Sequence, residues 1–339
     1  MSLTTVPGIA AYLKANDIPF TGVSILSGGT ANFTFRIKNG EHSSVIKHAE
    51  AFIKAMSHIP LLVDRMDFEM AALTKIPPLL PVDDLISLPR VIGYDTVKKM
   101  LHISDAGDRT LKEAYTDPQL DIQAYGIRIG TWLAHLHFVT EDLDIGDNKT
   151  AKSINRYVYE NLPATLEKCG YDPELGRKVD EQFGALLFKD NECVLHGDFW
   201  PGNIIVHSET KALTVVDWEI MRRGCSALDV GQFCAEAYLL DKFRGKRGLR
   251  KAFMRGYVDA MSDADKWVKQ EWMRRVCVHY GAHLVFWPTV VPWGNEEETA
   301  AVVKYGHGIL KALVMEKYIN LDDFWPDGTR VGEIDYPLE

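Results

Sequence analysis

Two runs of alternating residues, Asn32–Lys38 and His42–His48, meet at Asn39-Gly40, and this arrangement constrains the chain more than any other feature. Phe33, Phe35 and Ile37 fall on one face of the first run, the period of two that a half-buried strand requires. Asn and Gly both tolerate positive φ, as a two-residue turn between antiparallel strands demands. Thr21–Leu26, Arg90–Tyr94 and Lys98–Ser104 read as further strands, Val63–Lys75 has helical spacing, and the Pro-rich stretch Ile76–Asp84 must be a loop. The first hundred residues therefore predict an antiparallel sheet of about five strands with one helix inserted after the third.

After Gly107 the period changes. Asp117 can cap a helix with Pro118 at its first position, and Ile122, Tyr125, Ile129, Trp132, Leu133 and Leu136 then share a face. Helices are also expected at Asn155–Lys168, Pro173–Leu187, Lys251–Met261, Asp265–Leu284 and Glu296–Tyr318, with Ser226–Asp229 capping another that runs to Leu240. Val194–Leu195, Asn203–Val206 and Leu213–Val216 are short apolar strands within this helical region. The predicted fold class is α+β, with an N-terminal antiparallel sheet lobe over residues 1–107 and a mainly helical C-terminal lobe over 108–339. The boundary falls near Asp105–Arg109.

Composition removes several classes of function. The net charge of −9 argues against general nucleic-acid or anionic-membrane binding. Residues 1–107 hold ten Lys/Arg and ten Asp/Glu, so the whole surplus lies beyond them, as do all eight Trp. The five cysteines, at 169, 193, 225, 234 and 277, show no Cys-x-x-Cys spacing, which disfavours a structural zinc or a disulfide framework. Met1–Phe20 has neither a basic flank nor a continuous apolar run, no stretch of about 18 apolar residues occurs, and Pro337-Leu338-Glu339 is no address signal, so the expected location is the cytoplasm. No obligatory protein partner is evident.

The residues that carry chemistry begin with His196-Gly197-Asp198-Phe199-Trp200-Pro201-Gly202-Asn203, a loop between two apolar strands. Phosphoryl transfer needs a carboxylate beside the attacking hydroxyl and an oxygen ligand for the magnesium on the phosphates. Asp198 and Asn203 suit those two tasks, although such residues also make ordinary turns. The apolar strand Leu213–Val216 then delivers Asp217, a bridging magnesium ligand, followed by Trp218 and Glu219. Glu219 shares a face with Asp217 and can reach metal or substrate, or pair with Arg222 or Arg223. Ser27-Gly28-Gly29-Thr30-Ala31-Asn32 supplies a glycine turn through which backbone N–H groups can approach phosphates. Lys47, in an apolar strand, and Glu69, beside the packing face of the following helix, would pair against them.

These residues, in this order from Gly28 to about Trp293, resemble the aminoglycoside phosphotransferase and choline kinase superfamily of small-molecule kinases. The resemblance implies a protein-kinase-like two-lobed fold, with ATP and Mg2+ as cofactors and a small hydroxylated molecule as acceptor. It implies Asp198 as base, Asn203 and Asp217 as metal ligands, Gly28, Gly29, Asn32, Lys47 and Glu69 around the phosphates, and backbone between Ser104 and Ala106 for adenine. Asp229 matches an acid that braces the catalytic loop. The chain is also similar to fungal hydroxytryptamine kinases and to methylthioribose kinases, though Asn203 and Trp218-Glu219-Ile220 depart from the latter's pattern.

A protein kinase would need an activation segment with an Ala-Pro-Glu anchor after the metal Asp, and only about a dozen residues separate Asp217 from the next helix. A non-catalytic nucleotide binder would have lost Lys47, Asp198, Asn203 or Asp217, and all four are present. The expected activity is ATP- and Mg-dependent phosphorylation of an aromatic or amine-bearing alcohol such as a hydroxytryptamine. A methylthioribose-type sugar and an aminoglycoside-like antibiotic are the alternative acceptors. Trp200, Trp218, Glu219 and Trp287 are candidate walls of the acceptor site, with Trp293 beside them.

Overall fold

The Asn39-Gly40 hairpin is present in the computed structural model, which describes residues 2–81, 85–107, 109–261, 266–315, 318–320 and 333–335. Strands β1 (Gly22–Ile25), β2 (Phe33–Asn39) and β3 (His42–His48) follow helix α1 (Val6–Ala15). A small hairpin, β4 (Phe52–Ile53) and β5 (Met56–Pro60), leads to α2 (Arg65–Lys75), then β6 (Ile86–Ser87), β7 (Val91–Asp95) and β8 (Met100–Ser104). The sheet order is β1-β2-β3-β8-β7, antiparallel throughout. The inward faces Phe35, Ile37, Ile46 and Met100 pack on Ile9 and Leu13 of α1. That helix was not expected, although Thr5 accepts the Gly8 N–H and Pro7 opens the first turn, both start signals. The hairpin β4–β5 was also missed, its strands being too short for a visible alternation.

The helical region runs through α3 (Leu111–Ala114), α4 (Ile122–Val139), α5 (Lys149–Lys168) and α6 (Pro173–Gln182). After it come β9 (Cys193–Leu195), β10 (Ile204–Val206), β11 (Leu213–Val215) and β12 (Arg222–Gly224), and then α7 (Ala227–Phe243), α8 (Leu249–Ala260), α9 (Lys266–Val290) and α10 (Glu296–Met315). A last strand pair, β13 (Tyr318–Asn320) and β14 (Glu333–Asp335), closes the described chain. Gly130 lets α4 approach α8 so closely that a Cβ there would lie 2.1 Å from the Phe253 carbonyl oxygen. Two expected caps are corrected. Asp121, not Asp117, caps α4 by accepting the Ala124 N–H, and Asp117 instead closes a turn onto Gln119. Ser226 makes no cap bond; its hydroxyl accepts the Trp272 indole N–H. Expectations touching residues 82–84, 265, 316–317 and 336–339 lie outside the described residues.

The chain divides into two compact units, Met1–Arg109 with Ile205–Met221, and Thr110–Ile204 with Arg222–Glu339. Residues 205–221 join the sheet unit because β11 pairs in parallel with β6, Leu213 opposite Ile86 and Thr214 opposite Ser87. Among the described residues, no helix is long and apolar enough to cross a membrane.

Candidate active site

In the sheet unit Asn32, Lys47 and Glu69, three of the residues expected around the phosphates, belong to a buried network of polar side chains. Lys47 on β3 donates to Glu69 on α2 at 2.7 Å and to Asp217 at 2.6 Å. Burial alone would lower the Lys47 pKa, but Asp217, Glu69 and Glu219 outweigh it and raise it, keeping the ammonium charged. Asp217 adopts φ +71°, a left-handed conformation that Asp tolerates better than most residues. That turn ends β11 and sets the carboxylate at Lys47 with its side chain still 35% exposed.

Glu219 is held within the sheet unit. It accepts from Asn32 and lies 3.1 Å from Arg65 Nε, while Arg223 directs its guanidinium to the carbonyls of Thr140, Glu141 and Leu143. Burial first, then Asp217, raises the Glu219 carboxyl to about 7, with Lys47 and Arg65 opposing. Arg65, fully buried at the start of α2, also donates to Asn32 Oδ1 at 2.9 Å and to the carbonyls of Leu62 and Glu50. Asn32 therefore uses both ends of its side-chain amide within this network. Sequence reasoning missed Arg65, although Arg65 and Glu69 are four apart and so share a helix face. Trp218 is corrected as a pocket wall: it is 0% exposed and its indole N–H donates to Val215 O at 3.0 Å, making it a packing residue.

The glycine turn is braced by the unforeseen hairpin. Lys54 and Ala55, between β4 and β5, donate their N–H groups to the carbonyls of Ala31 and Thr30. Gly28 takes φ +108°, which requires glycine. At the other edge of the sheet, Arg36 clamps the Ser104–Gly107 segment by bonding Asp105 at 2.6 Å and the Gly107 carbonyl at 2.8 Å. Burial opposes ionisation of Asp105, but bonds from Arg36, Gly107 and Ser43 hold its carboxyl below the ordinary value. The half-buried Ala106 lies inside this clamp.

In the helical unit the His196–Asn203 loop is built from short bonds. Asp229 at the start of α7 has no exposed surface, and its carboxylate accepts the backbone N–H groups of His196 at 2.7 Å and Gly197 at 3.0 Å. His137, a core residue as its apolar surroundings suggest, lies 3.3 Å from the same carboxylate. Asn203 donates to the Asp198 carbonyl at 2.9 Å and to its carboxylate at 3.0 Å. Gln232 on α7 donates to the other carboxylate oxygen of Asp198, a partner that sequence reasoning also missed. Two amide donors, from Asn203 and Gln232, fix the Asp198 side chain. Because Asn203 turns its amide nitrogen to Asp198, its carbonyl oxygen is the end it can offer to a metal.

Asp217 in the sheet unit and Asn203 in the helical unit each offer a side-chain oxygen, the hard kind of ligand that magnesium prefers. In the sheet unit three carboxyl groups, Asp217, Glu69 and Glu219, gather around two cations, Lys47 and Arg65, and burial together with their mutual repulsion raises the pKa of Glu69 and Glu219. Trp200 and Trp287, expected at the acceptor, lie on the helical unit. Trp200 packs its ring over Gly202, where a Cβ would come within 2.3 Å of the indole. Trp287 sits one turn beyond His283 on α9, their ring centroids 6.2 Å apart.

Comparison with known proteins agrees with this arrangement. Residues 22–267 match the model of APH, the phosphotransferase enzyme family. The chain is 27% identical to 4-hydroxytryptamine kinase of Psilocybe cyanescens, over 90% of this chain and 91% of that one. It is 25% identical to a methylthioribose kinase of Bacillus cereus, over 66% of this chain and 62% of the other. Among solved structures, wild-type aminoglycoside 2'-phosphotransferase-IIIa in its GDP complex aligns with a TM-score of 0.55 and 12% identity, over 91% of this chain and 98% of that one. Choline kinase LicA from Streptococcus pneumoniae aligns with a TM-score of 0.54 and 13% identity, covering 90% and 99%. Both likenesses show a shared fold, the sheet-plus-helical architecture of protein-kinase-like phosphotransferases. The family match spans more than half of the chain and includes Lys47, Glu69, Asp198, Asn203 and Asp217, so this protein belongs to the APH phosphotransferase family and is a kinase-type, small-molecule phosphotransferase.

Proposed function

We propose that this chain transfers the γ-phosphoryl group of ATP to the hydroxyl of a small amine-bearing aromatic alcohol, of the hydroxytryptamine kind. The observation that carries the catalytic part is the Asp198 carboxylate, held by Gln232 and Asn203 in a loop braced by Asp229. A carboxylate fixed in this way orients the acceptor hydroxyl and takes its proton as the oxygen attacks phosphorus. The new O–P bond forms as the bond from the γ-phosphorus to its bridging oxygen breaks, and ADP leaves. Asn203 and Asp217 would hold magnesium, which neutralises charge on the phosphates. Lys47, fixed by Glu69, offers a second positive charge there, the turn at Gly28 and Gly29 offers backbone N–H groups, and the backbone of Ser104–Ala106 would receive adenine.

Support for the acceptor comes from two sides. Relatives named 4-hydroxytryptamine kinase align over nearly the whole chain. Trp200 follows the proposed base by two residues, and its ring face attracts an ammonium, here that of Lys112 at 4.8 Å. The test is ADP release from 4-hydroxytryptamine, choline, methylthioribose and kanamycin in competition. Preferred turnover of 4-hydroxytryptamine is expected. Exclusive turnover of methylthioribose would overturn the acceptor while leaving the kinase class standing.

A further inference from the structure

The Lys112 ammonium rests between two indole faces, 4.8 Å from the Trp200 ring centroid and 4.3 Å from that of Trp293. All three residues belong to the helical unit. Both rings are fixed from behind: Trp200 covers Gly202, and Trp293 stacks on Phe243 at the end of α7, centroids 6.3 Å apart. Among the described residues no salt bridge anchors Lys112. Burial lowers its pKa most, Glu236 opposes that, and Arg244 adds to it. An ammonium held chiefly by ring faces, on the long flexible stem of a four-residue helix, is weakly committed to its place.

Glu236 supplies the second element. Its side chain is buried and bonded to His283 Nε2 at 2.7 Å, and it acts on Lys112 through its charge. Gln232, which holds Asp198, lies four residues earlier on the same helix and so on the same face. Four residues of helix advance about 6 Å. A molecule with its hydroxyl at Asp198 and its ammonium toward Glu236 would therefore run along this face of α7, as an aromatic ring with a two-carbon amine arm can.

We infer that Trp200, Trp293 and Glu236 form a subsite for an organic ammonium group, and that Lys112 is its removable internal occupant. The inference rests on the amine-bearing acceptor proposed above and adds the residues that read the charge. Lys112 fills an aromatic slot that would otherwise expose two indole faces. An incoming ammonium displaces it and gains the same ring faces together with the carboxylate.

The test compares tryptamine, which has no hydroxyl to phosphorylate, with tryptophol, which carries the same ring and arm without charge. Binding to the full chain is measured by calorimetry. Wild type is expected to bind tryptamine at least tenfold more tightly than tryptophol. Glu236→Gln should remove most of that ratio, and Lys112→Met should tighten tryptamine roughly 3–30-fold, the span of one or two cation–π contacts. Tryptophol should change less than twofold with either variant. Near-equal binding of the two compounds by wild type, or weaker tryptamine binding by a folded Lys112→Met chain, would overturn the subsite. Turnover of 4-hydroxytryptamine that neither variant alters would sink the subsite alone. A failure of wild type to phosphorylate any amine, with phosphorylation of a neutral sugar, would sink the acceptor reading with it.

Discussion

Arg65 gives the sharpest test of how the sheet unit holds its charged site. Replacing it with Met keeps an unbranched side chain of similar reach and removes every donor. The structure then loses the bond to Asn32 at 2.9 Å, those to the Leu62 and Glu50 carbonyls at 2.6 and 3.0 Å, and the pair with Glu219 at 3.1 Å. Removing one member of a buried ion pair costs about 3–5 kcal/mol, because the other charge is left without compensation. The Leu62 and Glu50 carbonyls sit in part-buried bonds and can be met by water, so they add little. The expected loss is thus of the order of 4 kcal/mol, a fall in melting temperature of roughly 10 °C. Glu219→Met alone should cost a similar amount by stranding Arg65, whereas the double change should cost less than the sum by about 2 kcal/mol or more. Calorimetric melting of the four proteins measures the cycle. Additive effects, or a shift under 2 °C for Arg65→Met, would refute the buried network as the support of Asn32 and Glu219.

Further consequences are simpler to read. Asp198→Asn should lower kcat by about 10²–10⁴-fold while nucleotide affinity is kept, and near-normal turnover would remove Asp198 as the base. Asp217→Ala should abolish the strengthening of ATP binding by magnesium, measured by titration with and without the ion; an unchanged magnesium effect would refute Asp217 as a ligand. His279 is held neutral in the fold, its pKa pushed well below the ordinary value by burial, then by Arg275 and Arg222. The unfolded chain takes up that proton below about pH 6.5, so stability is full above that pH and falls below it by up to about 1.4 kcal/mol per pH unit. Urea midpoints between pH 7.5 and 5.5 should fall less steeply for His279→Gln, and equal slopes would contradict the assignment.

How much of this could be read from the chain follows from the range of the interactions. The hairpin at Asn39-Gly40 and the strands that flank the His196–Asn203 loop were legible because their signals are local: turn chemistry and alternation within a few residues. The loop itself was legible because Gly197, at φ +84°, and Asn203, bonded back to Asp198, are residue types that such a turn demands. What spacing could not show is which distant residue meets which. Arg65 and Glu219 are far apart in sequence, as are Asp198 and Gln232, and no periodicity records either contact. The transfer of residues 205–221 to the sheet unit depends on the pairing of β11 with β6, again a long-range event. The cap expected at Asp117 is made by Asp121 instead, because any Asp has the same cap propensity and only the fold shows which one accepts the Ala124 N–H.

The distribution of charge shows why local arrangement, rather than net charge, governs recognition here. A surplus of acids beyond residue 107 would favour a cation in general, but exposed charges farther than about 8 Å from a site are largely screened at physiological salt. Part of the surplus, Glu209, Asp217 and Glu219, belongs to the sheet unit. There Asp217 and Glu219 join Glu69 against Lys47 and Arg65, in a network that offers oxygen donors. In the helical unit, one buried carboxylate, Glu236, stands with two indole faces that already hold an ammonium. A strongly hydrated divalent ion gains from the first environment because carboxylate oxygens replace its water, and gains little from ring faces. An organic ammonium gains from ring faces, which cost it little hydration, and needs only one carboxylate nearby. On the proposed reading the same acidic character sorts two kinds of cation by what surrounds each carboxylate, so reversing distant surface charges on the helical unit should leave acceptor selectivity intact, whereas Glu236→Gln should not.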